Sequence, residues 1–377
     1  MPDTYQLLIN GAAADDKLIN AMGPLEVEEN ADLPGAIQFT VPVDSDGNGD
    51  LTYVNDPRFR PFANLAVVAT PNNGSAQCIF DGYVLNSKLH LQKGSTGSSL
   101  QVWGQDASWL MNLQEKVQEW VNVTDADVAN SIFGSYGIAP SSDNTDDDSP
   151  SHTEDNHTLM QRASDIQFLR TLARRNGKLC RVACTGTPGV RTGYFSKPNL
   201  DGDPVATFDL NDPALWNVDS LDLEWDVTHP SEALAREALF NDGDQDGVGV
   251  DVTDSGLTPL SGQGLAAFAG SGNGMSVMLT TIVDDADELN LRAQSVLRDA
   301  GWFVRCEGKT DLARLKAVLR AGSIVQINRA GAMHSGKYFV WSVRHTIDKQ
   351  HYQMKFVLVR NAVGSPPSGG GLLGGLL

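Results

Sequence analysis

The stretch GKYFVWSVRHTIDKQHYQMKFVLVRN, from Gly336 to Asn361, decides the fold. It carries two runs rich in β-branched and aromatic residues, separated by the polar segment DKQH. Two such runs around a short polar turn predict a β-hairpin. His345 is expected to hydrogen-bond across this turn. The C-terminal part of the chain is therefore predicted to be antiparallel β structure.

Alternating runs predict strands in the first ~110 residues as well. In GAIQFTVPV, Ile37, Phe39, Val41 and Val43 fall on one face. The polar clusters DSDGNGD, PNNGS and KGSTGSS separate such runs. Many short strands joined by polar turns indicate a sandwich or a barrel.

Three segments have the period of a helix. TDADVANSIFGSYG begins at Thr124, which is suited to cap the helix with Asp127 three residues later. SDIQFLRTLARRNG pairs Ser164 with Gln167 as a predicted capping box, and Gly177 is expected to end that helix. DDADELNLRAQSVLRDAG is the third predicted helix.

The charge balance bears on the class of partner. The chain has 377 residues, 47 acidic and 28 basic, and a net charge of −19. No basic stripe is visible, so specific nucleic-acid binding is not expected. An acidic surface favours solubility and repels DNA.

The four cysteines, Cys78, Cys180, Cys184 and Cys306, are too few for a disulfide framework and are expected to be buried thiols. The first residues show no signal-peptide pattern, and no apolar run has the length of a membrane span. We therefore expect synthesis and folding in the cytoplasm, wherever the protein is finally found.

The predicted fold class is mainly β with α/β insertions, built from two antiparallel β-barrels, a central α/β domain and a smaller insertion. The predicted boundaries are 1–112 for the first barrel, 113–213 for the central domain, 214–240 with 302–363 for the second barrel, 241–301 for the insertion and 364–377 for a flexible tail.

Four stretches, in this order, resemble a known family. They are FDGYV with LQVWGQDASWLM, then ASDIQFLRTLARRNG, then DELNLRAQSVLRDAG, and finally the segment from LRAGSIVQINRAG to FVLVRNAVG that contains the hairpin. Together they are similar to the baseplate hub proteins of contractile tails: phage late control protein D, the hub part of VgrG, and related hubs. VgrG continues into a spike, which this sequence does not show.

The resemblance implies a structural, non-enzymatic protein with no cofactor. Each hub copy would bring two barrels like the tail-tube subunit, so a homotrimer would match a hexameric tube and a trimeric spike. The implied partners are the spike, the tail tube or its initiator, and the baseplate wedge proteins. The implied location is a virion tail baseplate or an extracellular injection particle, assembled in the host cytoplasm.

Several residues are candidates for binding. The loop DGDQDGVGVD places Asp242, Asp244 and Asp246 at the spacing of a calcium loop, although Thr253 stands where a bidentate carboxylate is needed. Turns also favour Asp and Gly without any metal, so a plain turn remains an alternative. The acidic loop SSDNTDDDSPSHTEDNH, with His152 and His157, is expected to be solvated rather than to bind metal.

Two further groups are candidate partner contacts. Arg170, Arg174 and Arg175 either stabilise the end of their helix or contact an acidic neighbour. Leu372, Leu373, Leu376 and Leu377 follow a Gly-rich tether, and belong either to a disordered tail or to a segment that docks in a groove of the spike or a neighbouring hub.

Two other functions are kept as alternatives. One is a tail-associated enzyme that degrades peptidoglycan, although no G-x-S-x-G elbow or comparable motif is visible. The other is a calcium-dependent binding module of all-β type.

Overall fold

The computed structural model describes residues 5–72, 74–93, 97–145, 151–155, 158–211, 213–214, 216–236, 249–281 and 286–364. The strands in these ranges are β1 (Tyr5–Ile9), β2 (Ala12–Ala13), β3 (Leu25–Asn30), β4 (Ala36–Pro42), β5 (Asn64–Ala69), β6 (Gln77–His90), β7 (Ser99–Asp106), β8 (Glu115–Trp120), β9 (Ala139–Pro140), β10 (Leu159–Ser164), β11 (Leu179–Cys184), β12 (Arg191–Ser196), β13 (Ala206–Asp209), β14 (Ser220–Trp225), β15 (Glu232–Arg236), β16 (Gly249–Val252), β17 (Gln263–Gly264), β18 (Ser276–Thr280), β19 (Val304–Asp311), β20 (Ile324–Asn328), β21 (Gly336–Ile347), β22 (Tyr352–Arg360) and β23 (Ala362–Val363).

The helices in the same ranges are fewer. They are α1 (Asp16–Ala21), α2 (Asp125–Ser135), α3 (Asp165–Arg175), α4 (Leu265–Ala269), α5 (Ala286–Ala300), α6 (Leu312–Leu315) and α7 (Gly331–His334), with 3₁₀ turns at Pro57–Phe59 and Ala107–Asn112. The mainly β class with α/β insertions is therefore confirmed.

One large sheet contains strands from both ends of the chain. Its strand order is β14-β19-β22-β21-β3-β4-β7-β6-β5-β1-β2, and β20 joins β13 to β21 at the side. The two halves meet where β3 pairs antiparallel with β21, over six residue pairs from Leu25↔Ile347 to Asn30↔Ser342. Within the described ranges no sheet closes on itself, and this pairing joins the two halves into one open sheet. Two separate closed barrels stay a prediction.

Smaller sheets flank the large one. β8 and β10 form a two-stranded ribbon, β9, β11 and β12 form a second sheet, and β15, β16 and β18 form a third. β17 pairs with β23 near the end of the described chain. The second sheet belongs to the central α/β unit, and the third is covered by α5.

The distribution of buried residues shows which parts fold together. One core contains side chains from both halves of the large sheet, including Phe39 and Phe356. A separate core lies between α2, α3 and the sheet of β11 and β12. A third core joins α5 to β15 and β16. The predicted domain boundaries themselves remain untested.

The structure confirms the strand predicted around Phe39 and the cap predicted at Thr124. Ile37, Phe39, Val41 and Val43 are all buried, so the alternating pattern is confirmed. Thr124 caps α2, and its hydroxyl accepts from the amide of Asp127 at 3.2 Å while Asp127 accepts from the amide of Thr124 at 3.1 Å.

The capping box predicted for α3 is wrong. Ser164 is the first residue before the helix but makes no capping hydrogen bond. Its hydroxyl instead donates to Asn112 Oδ1 at 2.7 Å, and Gln167 also donates to that oxygen at 3.2 Å. Asn112, from a distant turn, competes with the helix end for both side chains. The end of the helix is as predicted, since Gly177 has a φ of +59°.

The hairpin of β21 and β22 is confirmed. The two strands pair along most of their length, with a bulge between Val340 and Ser342. His345 Nδ1 lies 3.0 Å from the hydroxyl of Tyr352, and both side chains are buried. Burial lowers the pKa of His345 to about 3, so the ring is neutral in the folded protein.

Gly193 is a position where the packing of the α/β unit tolerates no side chain. A Cβ at Gly193 would lie 2.4 Å from the ring of Phe133, which is fully buried on α2. We expect Gly193→Ala to lower the free energy of unfolding by about 1–3 kcal/mol, because the ring has to shift. Urea denaturation of the purified chain measures this.

Gly134, which is next to Phe133 on α2, offers a control for the Gly193 substitution. A Cβ there would contact nothing within 4 Å. Gly134→Ala is expected to raise the free energy of unfolding by up to about 1 kcal/mol through helix propensity. Equal effects of the two substitutions would contradict the packing described between Gly193 and Phe133.

Candidate functional site

The α/β unit is joined to the large sheet by buried ion pairs, and these joints are the most distinctive chemistry of the described chain. Glu29 on β3 accepts from Arg320 Nε at 2.6 Å and from the amide of Ala321 at 3.1 Å. The same guanidinium donates to the backbone oxygen of Cys184, on β11, at 2.5 Å. Burial raises the pKa of Glu29, and the charge of Arg320 opposes this rise. Arg320 thus connects both halves of the sheet to the α/β unit.

A second ion pair lies at the other end of this joint. Arg191, on β12, donates to Asp81 Oδ1 at 2.8 Å and to the hydroxyl of Tyr83 at 3.0 Å. Asp81 also accepts from the amide of Gly189 at 2.6 Å and from Asn64 at 3.0 Å. Burial works against the ionised carboxylate, but the hydrogen bonds outweigh burial and lower the pKa of Asp81. The pair fixes the hairpin of β11 and β12 on β6.

Between the two ion pairs lies a small charged cavity of about 30 Å³. The charged residues that line it are Glu29, Asp81, Asp106, Arg181, Arg191 and Arg320. This volume accommodates a single water molecule and is far below that of a small-molecule site. Three carboxylates and three guanidiniums line it, so its chemistry is that of a rigid connection between two structural units.

Another buried cluster surrounds Asp125 at the start of α2. Its carboxylate lies 2.7 Å from His152 Nε2 and accepts from Arg175 Nη2 at 3.0 Å and from Asn176. Burial works against ionisation, yet the hydrogen bond to His152 and the charge of Arg175 lower the pKa of Asp125 to about 2. The cluster ties the acidic loop to both helices of the α/β unit.

The C-terminal end of α3 is also bound to α5. Arg292 donates to the backbone oxygen of Arg175 at 3.2 Å, and Arg298 donates to that of Asn176 at 2.7 Å. Cations at this position complement the negative end of the helix dipole. A Cβ on Gly177 would lie 2.9 Å from the Cα of Ser295, so α3 and α5 meet at close range.

The structure places the three predicted arginines in different surroundings. Arg175 is paired with Asp125 of its own chain. Arg174 is exposed, and the charges of Arg174 and Arg170 both act on Asp32, whose pKa burial raises. Nε and Nη2 of Arg170 are buried and have no hydrogen-bond acceptor among the described residues. A contact of these arginines with a partner protein stays a prediction.

The other predicted binding residues lie outside the described residues. These are Asp242, Asp244 and Asp246 of the calcium loop, and Leu372, Leu373, Leu376 and Leu377 of the tail. In the part of the chain that the structure describes, no group of three or more His, Cys, Asp or Glu side chains has the arrangement of a metal site. Calcium at the first three residues remains a prediction.

His152 is the residue that sequence reasoning missed. The expectation that its loop is solvated is wrong at this residue, which is only 2% exposed. The loop runs beside Val123, and the amide of His152 donates to the Val123 carbonyl at 2.8 Å. The prediction was wrong because the neighbouring Glu154 and Asp155 make the local sequence polar and acidic, a pattern typical of an exposed loop. His157 lies outside the described residues.

The expected buried thiols are confirmed, since all four cysteines are buried and free. None of the helices in the described ranges has the length and the apolar character of a membrane span.

Comparison with known proteins relates this architecture to a family. Residues 4–349 match the family model described as the Alg8 N-terminal domain. The chain belongs to this family. The description does not itself name late control protein D or VgrG. No curated protein sequence matches the chain.

Solved structures show which proteins share the fold. The 43 kDa tail protein of prophage MuSo2 from Shewanella oneidensis has a TM-score of 0.66 at 13% identity, covering 96% of this chain and 99% of that one. A tail protein from Neisseria meningitidis MC58 has a TM-score of 0.64 at 13% identity, with coverages of 96% and 97%. The E. coli c3393 protein, described as a type VI secretion component similar to the T4 tail proteins gp27 and gp5, has a TM-score of 0.55 at 12% identity, with coverages of 96% and 79%. The fold is that of phage tail proteins.

The Asp125 cluster predicts an acid-sensitive contribution to stability. The native pKa of about 2 lies below the ordinary value of 3.8. The ionised carboxylate therefore stabilises the fold above about pH 4, and this contribution is lost as the pH falls through about 2. We expect Asp125→Asn to lower the free energy of unfolding by about 2 kcal/mol at pH 7, and by progressively less between pH 4 and pH 2.

Urea denaturation at pH 7, 4 and 3 measures this difference. Asp143→Asn removes an exposed carboxylate from the same unit and serves as the control. An Asp125→Asn variant as stable as the wild type at pH 7 would refute the contribution assigned to this cluster.

Proposed function

We propose that the chain is a structural, non-enzymatic hub of a contractile-tail or injection-system baseplate. In this role it forms a homotrimer that links a hexameric tail tube, or the tube initiator, to a trimeric spike. The observation that carries the proposal is the likeness to a prophage tail protein over 96% of this chain and 99% of that protein. The resemblance of the sequence to late control protein D and to the VgrG hub supports the same role.

The two halves of the large sheet give the proposal its symmetry argument. One half consists of strands from the first ~110 residues, and the other consists of β13, β14, β19, β20, β21 and β22. If each half corresponds to one tube-like barrel, three copies present six units to a sixfold tube. The shared core and the β3–β21 pairing would hold the two units of each copy in a fixed relation.

The ends of the large sheet are suited to contacts between copies. Among the described residues β14 pairs only with β19, and the opposite end is the two-residue strand β2. The amide of Asp226, directly after β14, donates to the carbonyl oxygen of Phe303 at 2.8 Å. In an antiparallel pair successive amides point alternately toward and away from the partner strand, so the amides of Leu223 and Trp225 point away from β19. An open edge of this kind is a template for pairing, and closure into a ring would remove it.

The remaining partners follow from the proposed role. The spike would contact one face of the trimer, the tube or its initiator the other, and the wedge proteins its outside. Arg170 and Arg174, together with the leucines of residues 372–377, are proposed to contact these neighbours. The particle would assemble in the host cytoplasm and act as part of a virion tail or an extracellular injection particle.

The mass of the purified chain in solution tests the trimer. The chain has a mass of 40.5 kDa, so light scattering is expected to give about 120 kDa. If the chain is monomeric, addition of the spike protein is expected to produce the trimer. A chain that stays monomeric with and without the spike would contradict the proposed hub.

Trp225 tests the edge of β14. Its side chain is 47% exposed and lies edge-on to Phe268 at a centroid distance of 5.3 Å. Lysine on an edge strand disfavours pairing with another chain. We expect Trp225→Lys to reduce the mass measured by light scattering toward that of a monomer, while the protein still melts cooperatively.

Trp216→Lys is the matched control. Trp216 is 40% exposed and lies outside the strands, so its replacement is expected to leave the mass unchanged. Equal behaviour of the two variants would place the contact between copies elsewhere on the surface.

A further inference from the structure

Two of the four cysteines touch each other at the joint between the large sheet and the α/β unit. Cys78 lies on β6 and is fully buried, and Cys184 is the last residue of β11 and is 5% exposed. The thiol of Cys184 donates to the backbone oxygen of Cys78 at 3.0 Å. The amide of Cys78 in turn donates to the backbone oxygen of Gly186 at 3.1 Å. The two chain segments are therefore in direct contact at these residues.

The Cys78 thiol donates to the backbone oxygen of Phe80 at 3.2 Å. The sulfur of Cys184 lies 3.0 Å from the carbonyl oxygen of Cys78, beside the residue that carries this second thiol. A disulfide requires the two sulfur atoms to approach to about 2.05 Å. The Cys78 side chain therefore has to rotate away from Phe80, and the Cys184 side chain away from the Cys78 carbonyl oxygen, to bring the two sulfurs together.

The other two cysteines, Cys180 and Cys306, lie in other parts of the fold. Cys180 is four residues before Cys184 on the same strand, a separation of about 13 Å along β11. Its side chain belongs to the core of the α/β unit. Cys306 belongs to β19 and to the core of the large sheet. Among the hydrogen bonds of the described residues, the only one between two cysteines runs from the Cys184 thiol to the backbone oxygen of Cys78.

We propose that Cys78 and Cys184 are a disulfide-forming pair, which covalently links the large sheet to the α/β unit when the protein meets an oxidising environment. The bond would join β6 to β11, two strands 106 positions apart in sequence. It would act at the same joint as the Arg191–Asp81 and Arg320–Glu29 ion pairs. The link would prevent the α/β unit from separating from the sheet when those ion pairs weaken.

The oxidant is a small disulfide such as oxidised glutathione. The Cys184 thiolate attacks one sulfur of the oxidant, forms a mixed disulfide and releases one glutathione thiolate. The Cys78 thiolate then attacks the Cys184 sulfur and releases the second glutathione. Two protein thiols are oxidised, the glutathione disulfide is reduced, and the two protons end on the two glutathione thiols.

The position of Cys184 determines the order and the rate of these steps. The residues that follow it, 185–187, are exposed, so opening of the end of the β11–β12 hairpin makes this thiol accessible before Cys78. The neighbouring Cys78 side chain, together with burial, raises the pKa of Cys184. The thiolate is therefore scarce at neutral pH, and the crosslink is expected to form slowly at pH 7 and faster at pH 9.

The experiment counts thiols in the full chain. The reduced protein is incubated with oxidised glutathione at pH 7 and at pH 9, then denatured and alkylated with N-ethylmaleimide. Mass spectrometry is expected to show a fall from four alkylated cysteines to two, with the peptides of Cys78 and Cys184 joined by a disulfide. The oxidised protein is expected to melt at least ~3 °C higher than the reduced protein, and dithiothreitol is expected to reverse the shift.

Single substitutions identify the pair. Cys78→Ala and Cys184→Ala are expected to give no intramolecular disulfide, whereas Cys180→Ala and Cys306→Ala are expected to form it as the wild type does. Peptide mapping of the wild type decides the result even if one of the variants fails to fold.

Four free thiols after prolonged incubation at pH 9 would overturn the proposal, and so would a disulfide that contains Cys180 or Cys306. The thiol count is independent of the proposed hub role, because it requires neither a trimer nor a spike.

Discussion

The antiparallel pairing of β3 with β21 is the interaction on which the rest of the structure depends. It joins residues more than 300 positions apart in the chain, over six residue pairs. Through it, the strands of the first ~110 residues and those after Ala206 share one sheet and one hydrophobic core. A continuous hydrogen-bonded sheet keeps the two halves in a fixed relation more rigidly than a flexible linker does.

Buried ion pairs attach the α/β unit to this sheet. Glu29 and Arg320 are both strongly buried, and their pair connects the sheet to β11. Arg191 and Asp81 repeat the arrangement at β6 and β12. Removal of one partner of a buried pair is costly because the other charge is left unpaired, so these joints are specific in geometry. Many of the arginines of this acidic protein are thus used within the chain.

Secondary structure could be predicted from the sequence where it depends on residues that are close together in the chain. The cap at Thr124 and the turn at Gly177 depend on residues within one helical turn, and the structure agrees with both. The capping box predicted at Ser164 is wrong because the Ser164 hydroxyl donates to Asn112, which is 52 residues away in sequence. The prediction that His152 is solvated is wrong for the same reason. Its burial depends on contacts with Asp125 and Val123, which are distant in sequence, and not on its acidic neighbours.

The sequence by itself determined the β-rich class, the positions of the three main helices and the buried character of the four cysteines, because periodicity and composition are local properties. Tertiary structure alone decided that both halves share one sheet, that Arg175 faces Asp125, and that Cys184 contacts Cys78 rather than Cys180. Each of these outcomes depends on which distant strands pair, and side-chain alternation states only which residues are buried and not against what they pack.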